Sequence, residues 1–169
     1  MRFVALAALL LVAPPATAAA LRLPVPVVKQ ARERCGPAAL EMVLRFYGAD
    51  STAASCSARA YDPVLRGSLI TDLAAAARTA GFDARVETLD APGVVALLEQ
   101  GVPPILLYQS GDGPVTRPHY GVVVGWDADR ATFVLNEGAA RPRELSAGTL
   151  NRRWRTAGHQ ALVVRRSAP

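Results

Sequence analysis

Cysteine, histidine and lysine are all scarce in this chain of 169 residues: two cysteines, two histidines and a single lysine, Lys29. Two cysteines, Cys35 and Cys56, allow one bridge at most, which excludes the disulfide-dense frameworks of small secreted scaffolds. Together with His119 and His159 they match none of the usual metal-ligand spacings, so no metal and no cofactor is expected. The shortage of lysine leaves arginine to carry the formal charge of +5, and the arginines are spread along the chain with aspartate and glutamate between them. That pattern argues against a nucleic-acid surface.

Long hydrophobic runs are missing as well. The N-terminal apolar run Val4–Ala13 has ten residues, well short of the roughly 20 that span a bilayer. It follows Arg2 and leads to the small-residue stretch Ala16-Thr17-Ala18-Ala19-Ala20, the pattern of a secretory signal peptide. The expectation is therefore a leader over residues 1–20, a single exported domain over residues 21–169 in a periplasmic or secreted setting, and no membrane anchor in the mature chain. One domain of this size holds one hydrophobic core.

What is present falls into two halves. Leu21–Val28 mixes aliphatic residues with proline and suits an extended lead-in. From Gly36 to Tyr47 the apolar residues Leu40, Val43, Leu44 and Tyr47 recur at i, i+3, i+4 and i+7, with Pro37 in the first turn and Gly48 beyond the end: an amphipathic helix. Residues 49–67 show little periodicity and are expected to form a long surface excursion. Ser68 or Thr71 caps a second helix through Ala80, and Asp90 with Pro92 opens a third that closes at Gly101. Strands are expected at Phe82–Leu89, Ile105–Tyr108, His119–Trp126, Ala131–Asn136 and Gln160–Arg165, with Ser146 capping a short helix before the last. Helices first and a meander of strands afterwards imply an α+β fold with an antiparallel sheet. Trp126 and Trp154 read as core anchors.

Cys35 stands at the start of the first helix, where the helix dipole and free N–H groups stabilise a thiolate. Spacing and compartment alone balance this against a Cys35–Cys56 disulfide closing the intervening loop. A thiolate nucleophile needs an imidazole as base and acid. His119, at a strand start, is the candidate; His159 sits beside Gly158 at a turn. If 127–130 is the hairpin turn and Trp126 pairs with Ala131, Asn136 lies opposite Gly121 and diagonal to His119, near enough to orient the ring. A register shift of one residue puts it on the other face. Gln30, five residues before Cys35, and the Cys35 N–H are candidate donors to a carbonyl oxygen that gains negative charge.

The set Gln30-(x)4-Cys35-Gly36-Pro37-Ala38-Ala39-Leu40, then His119-Tyr120-Gly121-Val122-Val123-Val124-Gly125, then Asn136 resembles the bacteriocin-processing, double-glycine-leader peptidase family of papain-like cysteine peptidases. The resemblance implies a papain-like fold in which the N-terminal helix carrying the cysteine packs on the antiparallel sheet. It also implies Cys35 as nucleophile, His119 as base and acid, Gln30 as oxyanion donor and a peptide or protein as substrate. Many members carry aspartate where this chain has Asn136, and no Gly-x-x-x-x-Gly-Lys phosphate loop accompanies the domain, so a free-standing exported relative is expected. Two other functions fit the same residues: a peptidoglycan amidase or acyl transferase, and a non-catalytic binding module with Cys35 and Cys56 joined.

Overall fold

The structure is a computed structural model and describes residues 20–111 and 115–167. The expected leader, but for residue 20, and residues 112–114 lie outside the described residues. Strand β1 (Leu21–Arg22) is followed by helices α1 (Cys35–Phe46), α2 (Asp50–Ala58) and α3 (Ile70–Thr79), then β2 (Phe82–Thr88) and α4 (Ala91–Glu99). The rest is β3 (Ile105–Ser110), β4 (Arg117–Asp127), β5 (Thr132–Asn136), β6 (Arg143–Ser146), α5 (Ala147–Arg155) and β7 (Gln160–Arg166). The chain is thus α+β. Its sheet runs β2-β7-β3-β4-β5-β6, every neighbour antiparallel, with β1 extending the β3 edge along the far end of β4.

Strand alternation divides the core into two layers. Tyr120, Val122 and Val124 of β4 join Ile105 and Leu162 under α1, α2 and α3, where Leu40, Val43, Leu44 and Leu73 are fully buried. Val123, Phe133 and Leu135 face the other way, onto Leu98, Leu150 and Trp154 of α4 and α5. Each such side chain contributes about 1.5–3 kcal/mol on leaving water. Trp154 is anchored at both ends, its ring buried and its Nε1 donating to the Gln160 carbonyl at 2.8 Å. Asp90 caps α4 through the Gly93 N–H and Ser146 caps α5 through the Thr149 N–H. Among the described residues no helix is long and apolar enough to cross a membrane.

Three expectations need correction. Residues 50–58 are not a surface excursion but α2, whose sequence DSTAASCSA lacks an apolar stripe yet buries Ala53, Cys56 and Ser57 against the first core layer. Small residues there let a short helix pack closely without leaving the usual periodic signal. Neither Ser68 nor Thr71 caps α3: its N-cap is Leu69, in extended conformation, with no side-chain hydrogen bond. The joined cysteine pair is not found either. Both thiols are free, and the Cys56 Sγ, in the core, donates to the Ala76 carbonyl at 2.9 Å.

Cys56 therefore behaves as a small core side chain. Cys56→Ala is expected to lower unfolding stability by about 1–2 kcal/mol through the cavity it leaves, because the Ala76 carbonyl keeps its bond from the Ala80 N–H. Reductant is expected to leave the wild-type melting temperature unchanged. A fall on reduction by the several degrees that a structural bridge is worth would contradict the assignment.

Candidate active site

The first turn of α1 presents Cys35 with no side chain capping the helix, so the N–H groups of that turn keep their donor capacity. Gly36 explains how the turn comes so close to the sheet. A Cβ at Gly36 would lie 3.0 Å from Ser68 Cβ and Oγ and 3.3 Å from the Tyr120 ring, so any side chain there would lift the helix start away. Tyr120 holds the same junction from below, its hydroxyl donating to the Ser68 carbonyl at 3.0 Å. Burial, with the charge of Cys35 and then of Asp72 adding to it, raises the Tyr120 phenol well above its ordinary value. That tyrosine thus serves as a neutral donor.

Gln30, Cys35, Ser68 and His119 all line one cavity of about 770 Å³. Leu65, Leu69, Ile70 and Leu107 supply apolar wall, and Arg117 and the Glu33–Arg66 ion pair stand on its lining. The Glu33 carboxylate is held below its usual range first by its hydrogen bond with Arg66. Gln30 is set by Gly138, which adopts φ +76 and lies so near that a Cβ would come within 2.9 Å of the Gln30 Cβ. The Gln30 N–H donates to the Gly138 carbonyl at 3.4 Å. The three sequence-predicted residues Gln30, Cys35 and His119 are therefore brought together. Among the described residues no group of His, Cys, Asp and Glu has the arrangement of a metal site.

Asn136 is placed differently from its expected register. Asp127 pairs with Thr132, so the four-residue hairpin turn lies one residue later than assumed, and a bulge between Val123 and Gly125 then shifts the pairing back by one. Asn136 stands opposite Val122, not Gly121, which turns it to the α1 face of the sheet. By the same alternation His119, paired with Tyr108, begins on the opposite face. Asn136 Nδ2 donates to the Val25 carbonyl at 3.2 Å, while Asn136 Oδ1 and His119 Nε2 are both buried without a hydrogen-bond partner. The two strands bring Asn136 and His119 to one end of the sheet without a hydrogen bond between them.

The space that Gly121 leaves open is taken by Tyr108, whose hydroxyl lies 3.3 Å from where a Cβ would be. Tyr108 donates that hydroxyl to Glu137 Oε1, and Ser110 Oγ donates to the same oxygen at 3.1 Å. Arg143 lies 3.6 Å from Glu137 Oε2. The Tyr108 ring meets the His119 ring edge to face at 6.2 Å, so this half-buried carboxylate braces the wall against which the imidazole packs. Neither Glu137 nor Tyr108 was predicted for the site. The sequence signal available was an acidic residue directly after a strand and a tyrosine within an apolar one, which is too common to single them out.

Burial first, and the Arg143 charge second, lower the His119 imidazole below its ordinary value, while the Glu137 backbone pulls the other way. Burial raises the Glu137 carboxyl, with Arg143 opposing. The folded chain therefore disfavours a proton on His119 that the unfolded chain accepts. The histidine's contribution to stability is complete above its ordinary value near 6.5 and is lost as pH falls through that value toward the lower folded one. His119→Gln is expected to flatten the rise of unfolding free energy with pH between about pH 5 and 7, read from denaturant titrations across that range. A slope equal to that of the wild type would contradict burial as the cause.

The comparisons with known proteins agree with this architecture. Residues 22–162 match the profile of the Peptidase_C39 like family. No curated protein matches the chain. Among solved structures, a double glycine motif protease from an AMS/PCAT transporter in complex with the leader peptide superimposes with a TM-score of 0.66 at 21% identity, covering 86% of this chain and 94% of that one. The peptidase domain of Streptococcus ComA, described as a bi-functional ABC transporter involved in a quorum sensing pathway, gives 0.64 at 18% identity, covering 85% and 99%. A protein from Bacillus anthracis described as a C39-like peptidase gives 0.71 at 14% identity, covering 89% and 99%. At these identities the likeness establishes the papain-like fold.

Proposed function

The chain belongs to the Peptidase_C39 like family, and from that premise we propose that it is a cysteine peptidase hydrolysing peptide bonds by acyl transfer through Cys35. One observation carries the reading: a cysteine on an uncapped helix start shares a cavity with His119, whose Nε2 has no partner in the protein, and with Gln30, whose Oε1 has none either. Polar atoms buried without partners are rare, and two lining the same cavity as a nucleophile are what a substrate would satisfy.

In this mechanism His119 takes the Cys35 thiol proton, the thiolate attacks the scissile carbonyl carbon, and the oxygen, as it becomes negative, takes hydrogen bonds from the Gln30 side-chain amide and the Cys35 N–H. Collapse breaks the C–N bond as His119 protonates the leaving amine. His119 then removes a proton from water, whose oxygen attacks the thioester, and the thiol is released. The protonated imidazole needs an acceptor, and the Asn136 Oδ1 and the Glu137 backbone at the end of β5 are the groups we assign to that task. The apolar wall of Leu65, Leu69 and Ile70 offers a place for aliphatic side chains of a peptide. A peptide substrate is also in keeping with the leader peptide held by one structural relative. The signal-peptide pattern of the first twenty residues places the reaction outside the cytoplasm in this reading.

Cys35→Ala is expected to reduce peptide turnover by at least about 10³-fold. Gln30→Ala is expected to lower kcat by about 10²–10³-fold with little change in KM, because its hydrogen bond strengthens only as the oxyanion forms. Steady-state hydrolysis of a peptide mixture, followed by mass spectrometry, measures both. Undiminished turnover by Cys35→Ala would sink the mechanism. Addition of a labelled amine separates the neighbouring chemistry: hydrolysis releases free acid, whereas an acyl transferase incorporates the label.

A further inference from the structure

The Ser68 hydroxyl takes no part in the mechanism above. The sequence offered it as a helix cap, yet α3 begins without a side-chain cap, and the Ser68 hydroxyl is buried with no hydrogen-bond partner. Its backbone, by contrast, is fixed. The Ser68 carbonyl accepts from Tyr120, and the preceding Gly67 exchanges backbone hydrogen bonds with Asp62 at 2.8 and 3.2 Å. A buried, unbonded hydroxyl on a residue whose main chain is fixed and which lines the cavity is preorganised for a group that arrives from outside.

Its neighbours indicate what that group is. Ser68 Oγ lies 3.0 Å from where a Gly36 Cβ would stand, so it is packed against the residue that follows Cys35. A peptide with its scissile carbonyl at Cys35 brings main-chain amide groups past this point. We infer that Ser68 is a substrate-binding residue whose hydroxyl hydrogen-bonds the main chain of the bound peptide beside the carbonyl attacked by Cys35. The inference rests on the reading of Cys35 as nucleophile. It adds a determinant that recognises the peptide backbone and is indifferent to the side chain.

Ser68→Ala is a clean probe, because it keeps the Cβ that packs on Gly36 and removes only the unbonded oxygen. Two alkylating reagents divide the question. In both, the Cys35 thiolate displaces halide from a carbon, forming an S–C bond; acetyl-alanyl-alanyl chloromethyl ketone carries a peptide backbone, and iodoacetamide carries no amino-acid residue. In Ser68→Ala the second-order rate with the ketone is expected to fall about tenfold, the worth of one hydrogen bond, while the iodoacetamide rate and the melting temperature stay at wild-type values. A ketone rate that is unchanged, or that falls only in step with the iodoacetamide rate or the melting temperature, overturns the inference and leaves Cys35 as nucleophile standing. If neither reagent modifies wild-type Cys35 near neutral pH, the thiolate reading itself fails and this inference falls with it.

Discussion

The distance between the first turn of α1 and strand β4 governs the geometry of the cavity. It is set by one crowded contact, Gly36 against Ser68 and the Tyr120 ring. Three pieces of chain converge there: the helix that carries Cys35, the segment that leads into α3, and the strand that carries His119. The Tyr120 hydroxyl ties the second piece to the third through the Ser68 carbonyl. Because the residue after the cysteine has no side chain, the helix start sits low enough for Cys35 to line the cavity that the histidine also lines. Pro37 follows at no cost, since its missing N–H falls in a turn that has no intrahelical partner to lose.

The bulge in β4 is the second constraint. It places Val124 and Gly125 against a single residue of β5 and reverses the alternation beyond it. Without it, Asn136 would share the face of Gly121; with it, Asn136 joins the α1 layer and ties the lead-in segment through the Val25 carbonyl. The vacated space beside Gly121 goes to Tyr108, and the load of bracing the imidazole passes to the Tyr108–Glu137 pair. A carboxylate that is half-buried and bonded to a phenol, a hydroxyl and a guanidinium is well satisfied, which is why it can sit behind a histidine without drawing solvent into the sheet.

These two features mark where sequence and structure part. The amphipathic period of residues 36–47, the Asp90 cap and the valine-rich strand after His119 are local signals, and the elements they announce are present. Helix α2 carries no apolar stripe, so its burial arises from tertiary contacts that a short window cannot display. The pairing of Asn136 depends on a hairpin turn and on a one-residue bulge, and nothing in Val122-Val123-Val124 says which valine is the extra one. Glu137 and Tyr108 come together from strands 29 positions apart, a relation set by register and not by composition. The cysteines divide similarly: a count of two left a bridge open, and only the packing of α2 on α3 puts Cys56 into the core beside the Ala76 carbonyl.

Satisfied and unsatisfied polar groups are distributed unevenly, and that unevenness bears on how stability and function share the molecule. Behind the histidine every oxygen of Glu137 has a partner, whereas Gln30 Oε1, Ser68 Oγ and His119 Nε2, lining the cavity, have none. Each unmet group costs about 1–3 kcal/mol, a large part of the 5–15 kcal/mol that holds a domain of this size together. The two apolar layers above and below the sheet must carry that deficit. A peptide entering the cavity would meet groups whose desolvation has already occurred in folding. Its hydrogen bonds to them would therefore be worth more than the same bonds made to solvated side chains, which is the advantage of a site built on the edge of a core.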